Sequence, residues 1–151
     1  MKKKFEALKK DQKGFTLVEL VVVLVILAIL AALLVPALLG YIDRARNSQY
    51  LEEARSIYTA IQAVNDEKYA KLAGPVQLDD TNDLKKINNL VTPTKVTGGT
   101  VGYKGTTTDH DKYTVNQLTN LKFTSQDGAT VTISMDTDYS WNTDSMQVTK
   151  P

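Results

Sequence analysis

The chain has 151 residues, with 18 Lys and Arg against 17 Asp and Glu and a formal net charge of +1. That length allows one small domain plus a helix, and the absence of cysteine excludes disulfides, thiol redox chemistry and Cys-based zinc or iron centres. Residues 1–14 hold six of the cations and two of the acids, which leaves 12 against 15 beyond them and weighs against a basic nucleic-acid footprint there.

The first element is a short lysine-rich leader, Met1 to Gly14. An apolar run follows and lasts to Leu39. Leu20 to Leu39 are twenty residues without a charge. At about 1.5 Å per helical residue they span about 30 Å, the hydrocarbon thickness of a bilayer. Lysines before such a span place the N-terminus in the cytoplasm. Arg44 and Arg46, on the far side, run weakly against that bias.

An ordinary secretory signal is cut after its apolar region. Here the small residue that invites cleavage, Gly14, precedes it. A cut there removes the lysines, keeps the helix and makes Phe15 the new N-terminus, four residues from Glu19. Glu19 is out of place in an apolar segment, where a carboxylate costs about 3 kcal/mol on insertion scales. It can snorkel to the interface. It can also pair with the new α-amine of Phe15 in a neighbouring copy, and such pairing fixes register between packed helices.

Pro36 lacks an N–H and leaves the carbonyl of Ala32 without its usual partner, so a kink or a local melt is expected there. Beyond it, Ile42, Ala45, Ala54, Ile57, Tyr58, Ile61 and Val64 recur at helical spacing. Arg44, Glu52, Glu53, Arg55 and Gln62 fall mostly off that stripe. The helix therefore begins apolar all round and ends amphipathic, and Leu72-Ala73-Gly74-Pro75 should stop it. Asp80-Thr81-Asn82-Asp83 offers N-cap chemistry for a short helix carrying Leu84, Ile87, Leu90 and Val91.

From Thr92 the chain turns to β character, with fifteen threonines up to the end. Ala129, Val131, Ile133 and Met135 alternate with polar residues. Leu121 to Thr124 is a shorter partner, and Asp127-Gly128 between them signals a two-residue hairpin. Tyr113/Val115 and Met146/Val148 suggest further short strands. Gly98-Gly99-Thr100-Val101-Gly102 reads as a turn. The fold class is α+β, a long N-terminal helix packed on an antiparallel sheet. Its parts are a leader at 1–14, an apolar helix at 15–39, an amphipathic helix at 40–73 and a globular domain at 74–151.

No catalytic set emerges. His110, in the polar loop Thr108-Asp109-His110-Asp111, has no nucleophile motif beside it. Asp79/Asp80/Asp83 and Asp136/Asp138 offer calcium chemistry without an EF-hand pattern and fit capping better. No Asn-x-Ser/Thr sequon occurs.

The stretch Gly14-Phe15-Thr16-Leu17-Val18-Glu19-Leu20, opening a long apolar helix, resembles the class III signal of type IV prepilins and pseudopilins. The resemblance covers residues 13 to about 40, and no motif of the C-terminal half matches it further. It implies a structural subunit rather than an enzyme, with no cofactor. It implies cleavage by a prepilin peptidase between Gly14 and Phe15, N-methylation of Phe15, and assembly roles for Phe15, Thr16 and Glu19. Pro36 matches the helix proline of that family, and the short-helix segment from Asp80 to Val91 lies where pilins carry a variable loop. The partners implied are identical copies in a helical filament, an assembly platform with its ATPase, minor pilins, and the cytoplasmic membrane before assembly. The destination implied is a cell-surface filament serving adhesion or twitching. The alternative is a pseudopilin of a type II secretion or DNA-uptake system.

Overall fold

A computed structural model of the chain describes residues 14–105 and 110–151. The leader up to Lys13, and Thr108-Asp109 of the histidine loop, lie outside the described residues. Helix α1 spans Leu17–Ala70 and is continuous through Pro36. After it come α2 (Thr81–Leu90), β1 (Lys95–Tyr103), a single 3-10 turn at Asp111–Tyr113, β2 (Val115–Thr124), β3 (Thr130–Met135) and β4 (Trp141–Thr149). The four strands form one antiparallel meander in the order β1-β2-β3-β4. The α+β layout is as expected.

The chain divides into two units between Arg44 and Ala45, and α1 contributes to both. In the first unit the large side chains from Phe15 to Ile42 are exposed throughout. In the second, Tyr50, Ala54, Ile57, Ala60, Ile61 and Val64 of α1 share one core with Val96, Val115, Leu118, Leu121, Phe123, Val131, Ile133 and Met135 of the sheet. Each step of three or four residues along α1 returns to the same face, so this stripe meets the sheet. The stripe begins later than the sequence suggested. Ile42 and Ala45 are exposed, and the first buried residue is Tyr50.

Glu53 corrects a second expectation. Placed off the stripe by sequence, it is buried. Its Oε1 accepts from Gln49 Nε2 and Ser125 Oγ, each at 2.9 Å, and its Oε2 accepts from Thr94 Oγ1 at 3.2 Å. These neutral donors satisfy the buried carboxyl oxygens, and they tie α1 to the entry of β1 and to the β2–β3 connection.

The end of α1 is a Schellman closure. Ala73 N–H donates to the carbonyl of Lys68 at 3.0 Å, and Leu72 N–H to that of Tyr69 at 3.0 Å. The left-handed position is Leu72, at φ 53°, two residues before the glycine that should have supplied it. Asp80 caps α2, accepting from the N–H groups of Asn82 at 2.7 Å and Asp83 at 3.2 Å. Asp83, also buried, pairs with Lys68 at 2.6 Å and accepts from Gln77 N–H at 3.0 Å.

Gly98 to Gly102 is not a turn but the middle of β1, with register shifts on both sides of Gly98 and after Gly102. A Cβ on Gly99 would lie 2.9 Å from Leu121 Cα, so glycine lets the bulged strand approach β2. Val115 and Leu121–Thr124 are one strand, and Tyr113 belongs to the 3-10 turn before it. The hairpin around Asp127-Gly128 has a three-residue loop, not two. Ser125 N–H donates to Ala129 O at 2.8 Å, and Gly128 sits at φ 85°. Asp127 accepts from Tyr50 Oη at 2.8 Å and from Ala129 N–H at 3.1 Å, and these donors hold its carboxyl below the usual aspartate range.

Candidate processing and assembly site

The site is built from the first turn of α1. Gly14 has open space where a side chain would be, and Phe15 is 85 % exposed. The scissile bond proposed from sequence is thus unobstructed by the described residues. Thr16 is the residue before the helix. Its N–H donates to Glu19 Oε2 at 2.9 Å, and its Oγ1 donates to the same oxygen at 2.8 Å. Glu19 N–H lies 3.2 Å from Thr16 Oγ1, and Leu20 N–H closes the first helical turn on Thr16 O at 3.3 Å.

This is a capping box. A Thr and a Glu three residues apart satisfy each other's backbone N–H, two donors that the start of a helix otherwise leaves bare. The acid also sits at the positive end of the helix dipole. Glu19 therefore has a partner within its own chain, a role that the sequence reading missed. The signal was present in Thr16-Leu17-Val18-Glu19, since the box is recognised by that spacing.

Phe15, Val18, Glu19, Leu20, Val22 and Val23 line an open concavity of about 600 Å³. It is the bare flank of one helix, not an enclosed pocket. It presents one carboxylate among apolar side chains. The structure thus brings Phe15, Thr16 and Glu19 together at one helix end, with Gly14 adjacent. Pro36 lies nearly five turns on, in an unbroken helix, beside a shallow concavity it shares with Ala37, Gly40, Tyr41 and Arg44.

The remaining candidates have local explanations. His110 Nδ1 is 3.3 Å from Thr114 Oγ1, which also donates to the His110 carbonyl at 3.0 Å. Asp138 accepts from Ser140 N–H at 3.0 Å and Oγ at 2.6 Å. Among the described residues no His, Cys, Asp and Glu side chains gather as a metal site.

Residues 9–35 match the family model described as the prokaryotic N-terminal methylation motif. The chain carries the class III signal of type IV pilins and pseudopilins. No solved structure matches the chain. The motif supports a type IV pilin or pseudopilin-like protein. It marks a structural class rather than an enzyme class, and in general implies processing and assembly into filaments. With the apolar helix, which has a mean hydropathy of 3.3 over its best 18-residue window, it fits a membrane-anchored precursor.

Proposed function

We propose that the chain is the precursor of a type IV pilus subunit. A prepilin peptidase cuts between Gly14 and Phe15, and Phe15 is N-methylated. Residues 15–39 then leave lipid and pack against identical copies in a filament. The new amine of Phe15 pairs with Glu19 of a neighbour. The contact is heterologous and does not close, so it grows a fibre. The observation that carries this reading is the apolar helix itself. Its side chains are exposed on every face, and one acid stands at its end beside the cleavage position.

Before assembly the precursor crosses the cytoplasmic membrane once, N-terminus inside, and the domain at 45–151 lies outside the cell. The assembly platform, its ATPase and minor pilins act on the cleaved form. No cofactor or specific nucleic acid takes part. The test is mass spectrometry of subunits from surface filaments seen by electron microscopy. The expected chain begins at Phe15 and is heavier by one methyl group. A retained leader, or a cut beyond Leu39, overturns the proposal. Short stubs in place of surface filaments would instead place the chain with the pseudopilins.

A further inference from the structure

We propose that Tyr41 and Arg44 form a contact for the headgroup of an anionic phospholipid in the outer leaflet. The inference rests on the membrane-precursor reading above. It starts from the cations that the positive-inside rule does not explain, Arg44 and Arg46. Arg46 acts electrostatically on Asp127 and Tyr50 of the folded domain. Arg44 has no ion pair among the described residues. It faces the ring of Tyr41, whose centroid lies 6.0 Å from the guanidinium carbon.

The position fits a headgroup layer. The uncharged span ends at Leu39. Arg44 lies about 7.5 Å further along the helix axis, and the polar layer of a bilayer extends about 5–7.5 Å beyond the hydrocarbon. Helical side chains lean toward the N-terminus, so the guanidinium reaches back one turn, over Tyr41 and toward the lipid. Tyr41 is 67 % exposed, at the depth where aromatic rings border a membrane. Below them, Pro36, Ala37 and Gly40 leave a shallow concavity of about 280 Å³, shared with Tyr41 and Arg44. Nothing lies within 4 Å of where a Cβ on Gly40 would stand. A glycerol backbone fits against that open flank while the guanidinium donates to the phosphate in a bidentate fork. The cation–π contact with Tyr41, at 6.0 Å from the ring centroid, biases the guanidinium toward that flank.

The experiment uses the full chain in vesicles of phosphatidylcholine and phosphatidylglycerol, with spin-labelled forms of each lipid. Electron spin resonance reads the relative association of the two labels with the protein. Phosphatidylglycerol should be selected, and Arg44→Gln should lower that selection by about fivefold, the worth of one arginine at an anionic surface. Arg44→Lys should give an intermediate value, keeping the charge and losing the fork. The leader lysines are present in every variant and cancel in the comparison. Unchanged selection in Arg44→Gln overturns the proposal. So does loss of selection in the wild type on adding millimolar inorganic phosphate, which would make the ligand a free anion. If Arg44→Gln keeps its lipid selection but forms no filaments, the residue contacts a second copy and the lipid assignment is wrong. Flotation with the vesicles is read separately. A chain that fails to float overturns the membrane reading and this proposal with it, whereas one that floats without selection overturns this proposal alone.

Discussion

The two units of the chain use apolar residues in opposite ways. In residues 45–151, nineteen buried hydrophobic residues close on one another across α1, α2 and the sheet. In the first unit, Val21 to Leu39 have the same chemistry, and every large hydrophobic among them stands exposed. Apolar surface on this scale, left bare, marks an interaction surface. The second unit holds its own core, whereas the first has only half of one and needs lipid or other helices for the rest. Without cysteine, this domain also ties distant segments through buried or partly buried side chains, Glu53 to Ser125, Asp83 to Lys68 and Asp127 to Tyr50.

The sharpest way to break this contrast is truncation. A fragment starting at Ala45 should be a soluble monomer that unfolds cooperatively, since the core begins at Tyr50. A fragment starting after Val64 loses Tyr50, Ala54, Ile57, Ile61 and Val64, exposes the sheet's apolar face and should aggregate. Size-exclusion chromatography and circular dichroism check both. Equal solubility of the two fragments would show that α1 is dispensable to the core.

Glu19 sharpens the contrast from the other side. Glu19→Ala should leave insertion intact or improved and reduce filaments to a small fraction of wild type, counted by electron microscopy. Capping alone predicts a cost of only about 1 kcal/mol at the helix end. Glu19→Gln separates the two effects, because glutamine also completes a capping box but carries no charge. If charge pairing drives assembly, Glu19→Gln should fail like Glu19→Ala. Normal filaments with Gln would assign the residue to the helix cap instead.

Within the domain, Glu53→Ala should cost about 2–4 kcal/mol, as it leaves Thr94 and Ser125 facing a buried void. Glu53→Gln should cost less, since an amide oxygen still accepts. Urea unfolding of the 45–151 fragment reads both, and a loss below about 0.5 kcal/mol for Ala would show that the bonds of Glu53 to Thr94 and Ser125 do not stabilise the domain. The smallest expected effect is a gain. Leu72→Gly removes a branched residue from the left-handed region and should stabilise the fragment by about 1 kcal/mol. Leu72 is 82 % exposed, so little packing is lost with its side chain.

The features legible in the sequence were those with a period or a composition. The uncharged helical span, the helical stripe from Ala54 to Val64 and the alternation in Val131, Ile133 and Met135 all survive in the structure. What sequence could not give depended on partners far along the chain. Glu53 looks like a surface acid until Thr94 and Ser125, 41 and 72 residues away, arrive beside it. The glycines of β1 look like a turn because glycine suits turns, yet here they admit the close approach of Leu121. The Thr16–Glu19 box was local and readable, but the unusual charge drew attention from the spacing.

That box also bears on time. A carboxylate already held by Thr16 of its own chain is not stranded while the subunit waits in lipid. In the filament reading, joining then exchanges an internal donor for a neighbour's amine, and leaving exchanges it back. On the carboxylate's side, neither direction leaves its oxygens without a donor. If the filament reading holds, the same carboxylate serves the waiting subunit and the assembled one without a change of side chain.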